Sequence, residues 1–268
     1  MRAPWLVVAG REARLSARLL ILLVIGLVLV AYLMASAFPA FKERMLSAGA
    51  KAPAFVRRML EARAGGIKVE SFLALVYAHP VVLALATVWP VSRATQAIAG
   101  EIERGGLAWK LSYPVSRGAY VAAKAAVLIL GTGILAAALA LGFLGSLRWL
   151  GIPTAGPVPY AWAALAGFLL YTAIGMLTLW ASAASRRAGP VAMAGGGLTL
   201  ASYLLFYVAD IWEALKPYQW LSLFRYADQG ALLTGATPVW TDLAVLVGVA
   251  VVGFVGAIVT FSRRDLSI

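Results

Sequence analysis

A short run of charged residues lies between two long apolar stretches of the chain. The run GEIERGGLAWKLSYPVSRG covers residues 100–118 and contains Glu101 and Glu103 among several cationic side chains, with Arg93 just before it. Charged groups beside lipid-compatible segments are suited to ion pairing with one another or with a partner protein. Because helical residues spaced by two cannot face the same way, at most one of the two carboxylates is expected to meet a partner.

The same run contains signals for a short helix and a turn. Pro114 would end a helix that begins near Ile98, and Gly105 with Gly106 permits a sharp turn within it. Neither carboxylate lies in lipid, so we expect charge reversal at either one to leave membrane insertion intact. The candidate pairing partners of the second carboxylate are Arg104, Lys110 and Arg11.

Side chains for catalysis are scarce in the rest of the chain. His79 is the only histidine and cysteine is absent, which excludes thiolate metal sites, cysteine nucleophiles and multi-histidine metal centres. The sequence contains no GxSxG, HExxH or GxxxxGK[ST] motif, so we expect neither hydrolase activity nor a nucleotide site in this chain. A proton relay would need several buried acids, which the apolar stretches lack. We expect His79, which precedes Pro80, to face a cavity or a neighbouring helix at a kink.

The composition identifies an integral membrane protein. Of 268 residues, 62% are hydrophobic and only 13% are charged, more apolar surface than a soluble domain of this size can bury. The formal charge of +12 comes from cations that flank apolar stretches, where they contact anionic lipid head groups. We therefore expect a lipid bilayer and no nucleic acid as the partner of these charges.

Six stretches are long and apolar enough to cross a bilayer as helices, since a core of about 30 Å needs about 20 residues. We expect one all-α domain over residues 1–268, with Pro80 and Pro90 kinking the second span and Lys124 extending towards the membrane surface. The partly apolar segment 211–224 is expected to dip back into the membrane before the last span. The predicted spans are 19–38, 71–92, 121–145, 159–184, 189–209 and 243–262.

Lysine and arginine are concentrated before the first span, between the second and third, between the fourth and fifth, and after the sixth. By the positive-inside rule these segments are cytoplasmic, which places both termini in the cytoplasm. The loop 39–70 contradicts this pattern because it is also rich in cations. Within it, residues 53–66 are expected either to lie on the outer membrane face as an amphipathic turn or to form a solvated loop.

The run after the second span resembles the signature of permease subunits of ABC-2 type transporters. In that family a Glu-x-Glu-x-Gly run leads to a Pro-Val-Ser-Arg turn and a lysine that opens the third span. The leading segment VVAGREARLSARL, with Arg11 and Glu12, is similar to the family's amphipathic N-terminal helix. The segment LSLFRYADQGALLTG resembles the one before its last span, although Leu223 replaces the usual proline and Gly106 a usual threonine. The matching positions are Glu101, Glu103, Gly105, Leu107, Pro114, Ser116, Arg117 and Lys124.

The resemblance implies a membrane-spanning subunit of an ATP-driven exporter in a prokaryotic inner membrane. It implies pairing with a second permease subunit, identical or different, and with two copies of a cytoplasmic ATPase that bind ATP and Mg²⁺ in place of this chain. A cytoplasmic coupling helix after the second span would dock on the ATPase. The residues assigned to this coupling are Glu101, Glu103, Arg104, Gly105, Leu107, Trp109 and Arg117.

The resemblance also implies that the second and fifth spans line the translocation path at the centre of the dimer. Aromatic walls suit an amphipathic cargo, but aromatic residues near the ends of spans also form interfacial belts. The alternative function is a membrane scaffold or assembly factor of the same fold that moves no cargo. The candidate path residues are Tyr77, His79, Trp89, Tyr203, Phe206 and Tyr207.

Overall fold

A computed structural model of the chain describes residues 4–50, 68–107 and 115–264. Within these ranges all regular structure is helical, as the long apolar stretches predict. Two 3-10 helices, Glu213–Leu221 and Leu223–Ala227, lie between α7 and α8. The α-helices are α1 (Pro4–Ala50), α2 (Val69–Tyr77), α3 (Pro80–Ala97), α4 (Ala99–Glu103), α5 (Arg117–Trp149), α6 (Pro157–Ala184), α7 (Ala188–Ile211), α8 (Gln229–Leu233) and α9 (Trp240–Arg263).

The first helix is much longer than the predicted span 19–38. Its 47 residues correspond to about 70 Å at 1.5 Å per residue, more than twice the hydrocarbon core. The helix continues through Pro39, so the first part of the predicted loop 39–70 is helical. The leading segment is likewise the start of α1 and not a separate helix. The expected turn at 53–66 lies outside the described residues.

The second span is broken into α2 and α3, which meet at an angle of 53°. The break lies at Ala78 and His79 because Pro80 disfavours helical geometry in the residue before it and itself suits the first turn of a new helix. Nδ1 of His79 accepts a hydrogen bond from the backbone N–H of Val81 at 3.2 Å and so caps α3. Pro90 lies within α3, which continues to Ala97 beyond the predicted end at residue 92.

The remaining predicted spans agree with α5, α6, α7 and α9 within a few residues at each end. Among the described residues, five single helices are long and apolar enough to cross a membrane, and the bent pair α2–α3 makes a sixth candidate. The pair runs from one end of the bundle to the other, because Glu70 at its start contacts Ala155 in the α5–α6 loop while α3 ends beside α4. The chain is therefore a multi-pass membrane protein.

Helix α6 lies at the centre of the bundle, in contact with α3, α5, α7 and α9. Small residues let these helices approach closely. A Cβ at Gly253 of α9 would lie 2.6 Å from the carbonyl carbon of Met176, and a Cβ at Gly131 of α5 would lie 2.1 Å from the indole of Trp89. Helix α7 lies at the periphery and exposes Met193, Leu200 and Leu204.

The two ends of the bundle differ in chemistry. At one end, called the charged end, ion pairs link Arg93 of α3 to Glu12 of α1, Glu12 to Lys124 of α5, and Lys124 to Glu101 of α4. The other end, called the cleft end, contains the last turn of α7, both 3-10 helices, α8 and the first turn of α9. Helices of 24 residues such as α7 and α9 separate the two ends by about 36 Å.

Candidate functional site

Helix α4 is separated from α3 by a break at Ile98, whose φ of −126° and ψ of −61° are not helical. The hydroxyl of Ser182 in α6 accepts hydrogen bonds from the N–H groups of Ala99 (3.0 Å) and Ile98 (3.4 Å). The same hydroxyl donates to the carbonyl of Thr95 at 3.2 Å. Because buried backbone groups at helix ends need partners, this one side chain stabilises the change of direction into α4.

Glu101 faces the interior of the bundle. One of its carboxylate oxygens lies 3.7 Å from Nζ of Lys124, and that ammonium also donates a hydrogen bond to Glu12. Arg93 lies 3.7 Å from the other oxygen of Glu12. We call Glu12, Arg93, Glu101 and Lys124 the charge cluster; it ties α1, α3, α4 and α5 together where all four meet.

The inward position of Glu101 changes two expectations from the sequence. Lys124 does not extend to the membrane surface; it is buried and paired with two carboxylates. Charge reversal at Glu101 would place a cation beside Lys124, so it would disturb the fold as well as any docking surface. The expected pairing with Arg104 is present at 3.9 Å, at the exposed edge of the charge cluster.

The opposite side of α4 is exposed. Glu103 accepts a hydrogen bond from the backbone N–H of Ala188 at 2.9 Å, which gives a partner to one of the free N–H groups in the first turn of α7. Arg104 donates to the side-chain amide oxygen of Gln96. Gly105 has a φ of +70°, which confirms the predicted turn, since positive φ favours glycine. Glu103, Arg104 and Gly105 therefore present a continuous exposed surface at the charged end.

The other residues assigned to coupling lie in different surroundings. Leu107 is buried in the apolar cluster beneath α4. Arg117 donates to the carbonyl oxygens of Phe261 (3.4 Å), Ser262 (3.2 Å) and Arg264 (2.6 Å), and so caps the last turn of α9, where cations are favourable. Trp109, with Lys110 and Pro114, lies outside the described residues.

Arg264, which follows α9, caps the end of α6 in the same way as Arg117 caps α9. It donates to the carbonyl oxygens of Ala183 (2.8 Å) and Ser185 (2.9 Å) at the end of α6. Desolvation lowers the pKa of its guanidinium and nearby Arg186 lowers it further, yet an arginine remains charged at neutral pH. Helices α6, α9 and α5 are thus locked together at the charged end by two arginine caps.

The candidate path residues of α2 and α3 point in different directions. Trp89 is buried and donates from its indole N–H to the carbonyl of Leu128 at 3.1 Å. Tyr77 is also buried and packs against Phe143, with ring centroids 5.6 Å apart. His79 is exposed at the helix break. Tyr77 and Trp89 therefore contribute to the core of the single chain.

The candidate path residues of α7 form one aromatic group. The rings of Tyr203 and Tyr207 are 4.6 Å apart and those of Phe206 and Tyr207 are 5.0 Å apart, which confirms that Tyr203 and Tyr207 share a helix face. The hydroxyl of Tyr203 donates to the carbonyl of Ala78 at 2.7 Å. This bond gives a partner to a backbone carbonyl at the end of α2, where the helix break removes the helical one. All three side chains are partly exposed.

Two residues that organise the charged end were missed as site residues by sequence reasoning. Ser182 lies in an apolar span, and nothing in the neighbouring sequence indicates that it caps another helix. Glu12 gave a weak signal, because a carboxylate close to an apolar span is stabilised by a nearby cation if it is drawn into the membrane. Its pairing with Lys124, 112 residues away, depends on how α1 packs on α5.

Comparison with known protein families gives one match that spans nearly the whole chain. A family model described as "ABC-2 family transporter protein" matches residues 6–266. No curated protein matches the chain. The matched range includes every helix at the charged end and the cleft end.

Proposed function

Because the chain belongs to the ABC-2 transporter family, whose members act as permeases, we propose that it is the membrane subunit of an exporter driven by a separate ATPase. The permease would pair with a second permease subunit and two ATPase copies in a prokaryotic inner membrane, with the charged end and both termini in the cytoplasm. The cations in four separate segments at the charged end support this orientation, and only the cationic loop 39–70 opposes it.

The observation that carries the proposal is the two-sided construction of α4. Its inner side is joined to α1 and α5 through Glu101 and Lys124, while its outer side exposes Glu103, Arg104 and Gly105. A short helix with an exposed polar face and buried ion pairs to several spans can transmit a displacement of its surface to those spans together. We propose that this exposed face docks on the ATPase.

A scaffold of the same fold is the second candidate. It is favoured by the burial of Tyr77 and Trp89, since those side chains are not free to line a path within this chain. The partly exposed aromatic group on the peripheral helix α7 favours a transporter, because a second permease copy packed there would enclose it. Transport measured in vesicles separates the two functions.

Glu103 is the residue with which to test docking, since its carboxylate is exposed and Glu101 is not. Glu103→Gln keeps an acceptor for the N–H of Ala188 and removes only the charge, whereas Glu103→Arg reverses it. If Glu103 pairs with a cation of the ATPase, the reversal should weaken binding of the partner ATPase at least about tenfold, as for hydrogen-bonded interface charges. The measurement is affinity between the purified subunits.

Glu43→Arg is the matched control, because Glu43 is an exposed helical carboxylate near the far end of α1. It should leave ATPase affinity unchanged. Unchanged affinity in both Glu103 variants would show that docking does not use this charge. ATP hydrolysis by the purified chain alone would contradict a separate motor.

A further inference from the structure

Two small cavities lie beside each other near the cleft end of the bundle, where α2 meets α8. Each has a volume of about 20 Å³, which accommodates about one water molecule. Tyr77 of α2 and Gln229 of α8 line both cavities. The two cavities therefore share a wall that is built from two polar side chains.

The hydroxyl of Tyr77 is buried without a partner of its own. Within the described part of the chain no protein group forms a hydrogen bond with it, and the residue is only 7% exposed. A buried hydroxyl in this situation is unfavourable and uncommon in native proteins. The cavities that Tyr77 lines are the spaces from which a partner can reach it.

The side-chain amide of Gln229 is held against α6. Its Nε2 donates a hydrogen bond to the carbonyl of Ala163 at 3.0 Å, and a Cβ at Gly167 would lie 2.4 Å from the same nitrogen. Among the described residues, no donor forms a hydrogen bond with Oε1 of Gln229. A donor on Tyr77 and an acceptor on Gln229 thus line the same two cavities without bonding to each other.

Further polar side chains line each cavity. The inner cavity extends to Tyr171 and to Thr132 near the middle of α5, and the outer cavity extends to Tyr207 and the exposed Asp228. Oδ1 of Asp228 accepts a hydrogen bond from the N–H of Ala231 at 2.9 Å, which leaves its second oxygen. A bound water needs roughly two to four polar partners, and both cavities meet this requirement.

From this arrangement we propose that the two cavities form a binding site for ordered water. The hydroxyl of Tyr77 donates to a water molecule in one cavity and accepts from a water molecule in the other, and Oε1 of Gln229 accepts from the same waters. Because Asp228 is exposed, these waters exchange with the outside, and a hydrated inlet leads from the cleft end towards the middle of α5. The site lies within one chain and is independent of the proposed docking on an ATPase.

The test is oxidation of the purified full-length chain, in lipid nanodiscs, by hydroxyl radicals generated with X-rays. The radicals form from water where it is bound, so a buried tyrosine beside bound water is oxidised and one in a dry environment is protected. Tyr77 should be oxidised several-fold faster than Tyr120, which lines neither cavity, is 1% exposed and donates to the carbonyl of Ala97 at 3.2 Å. Equal rates at the two tyrosines would overturn the proposal.

Gly167→Ala tests whether the amide of Gln229 belongs to the site. The added methyl group would displace that amide and occupy part of the inner cavity, so oxidation of Tyr77 should slow several-fold. Gly248→Ala in α9 is the matched control, because a Cβ there would meet no atom within 4 Å, and it should leave the rate unchanged. An unchanged rate in Gly167→Ala would contradict a site shared by Tyr77 and Gln229.

The stability of Tyr77→Phe gives an independent test with a sign. If water bonds to the hydroxyl, its removal should lower the ratio of folded to unfolded protein about twofold to tenfold, the effect of losing one hydrogen bond. If the hydroxyl has no partner, its removal relieves a penalty, so an unchanged or higher ratio would overturn the proposal. The comparison of Tyr77 with Tyr120 uses the wild-type protein and decides the question even if a variant does not fold.

Discussion

Replacement of Lys124 by methionine is expected to destabilise the protein strongly. Methionine keeps the length of the side chain and removes only the ammonium group, which in the wild-type protein lies between Glu12 and Glu101. The side chain of Lys124 is 3% exposed and those of both carboxylates are 11% exposed. The substitution therefore leaves two nearly buried carboxylates without the ammonium group that pairs with both of them.

The size of the effect follows from these distances and the burial. At an effective dielectric constant of about 20, two unit charges 3.7 Å apart interact by about 4.5 kcal/mol before desolvation is subtracted. Removal of one member of a buried pair costs about 3–5 kcal/mol in measured cases. Arg93, 3.7 Å from Glu12, and Arg104, 3.9 Å from Glu101, still compensate part of the two carboxylate charges, so we expect a loss of about 3 kcal/mol in the free energy of unfolding, at the lower end of that range.

The assay is unfolding in mixed micelles with an increasing fraction of SDS, followed by tryptophan fluorescence. Lys216→Met is the matched control, because Lys216 lies 3.5 Å from Glu213 but the two side chains are 56% and 89% exposed. Exposed pairs contribute about 0–1 kcal/mol, so this variant should unfold almost as the wild type does. The double variant Lys124→Met/Glu101→Gln should recover part of the loss, since it removes one of the two carboxylate charges that paired with the ammonium group.

The result that would refute this reasoning is a loss below about 1 kcal/mol for Lys124→Met, equal to that of Lys216→Met. The charge cluster would then be solvated in the membrane protein, and the rigid connection from α4 to α1 and α5 would not exist.

Three further predictions follow from the packing and the topology. Gly131→Ala should lower the free energy of unfolding by about 1–3 kcal/mol, because the added methyl group overpacks against the indole of Trp89 in α3. Gly145→Ala on the same helix, where a Cβ would meet no atom within 4 Å, should leave stability unchanged or increase it, as measured by thermal unfolding of both variants. Ser182→Ala leaves two buried N–H groups at the start of α4 without their acceptor, so it should lower the free energy of unfolding in the same SDS titration by about 1–3 kcal/mol. The control Ser36→Ala, on an exposed helix face, should change it by less than about 0.5 kcal/mol. In this cysteine-free chain, Ala155→Cys should react with an impermeant maleimide in intact cells, whereas Arg187→Cys should react only after permeabilisation; labelling of both in intact cells would contradict cytoplasmic termini.

Much of the fold could be predicted from local sequence. The charge-free stretches within α1 and α9 and the proline that follows the break in the second span act over a few residues, so their consequences are readable without a structure. The ends of α1 could not be predicted in this way. A hydropathy pattern reports where lipid begins and ends, and a helix that continues into charged sequence through Lys42 and Arg44 crosses that boundary without a break.

The direction of each charged side chain at the candidate site was decided by tertiary structure. The sequence shows that Glu101 and Glu103 must face different sides of a short helix, because the helical period is a local property. Which of them faces inward depends on Lys124 and Glu12, which reach the site from α5 and α1.

Local sequence features identify a multi-pass membrane protein of the ABC-2 family, with a charged segment after its second span. Hydrophobic length, proline positions and motif spacing are sufficient for those conclusions because each is set by neighbouring residues. In contrast, the contact of Trp89 with Gly131 and the capping of α4 by Ser182 depend on how the helices pack. Such contacts join residues that are distant along the chain, and they exist only where the helices pack closely enough for one side chain to meet the backbone of another.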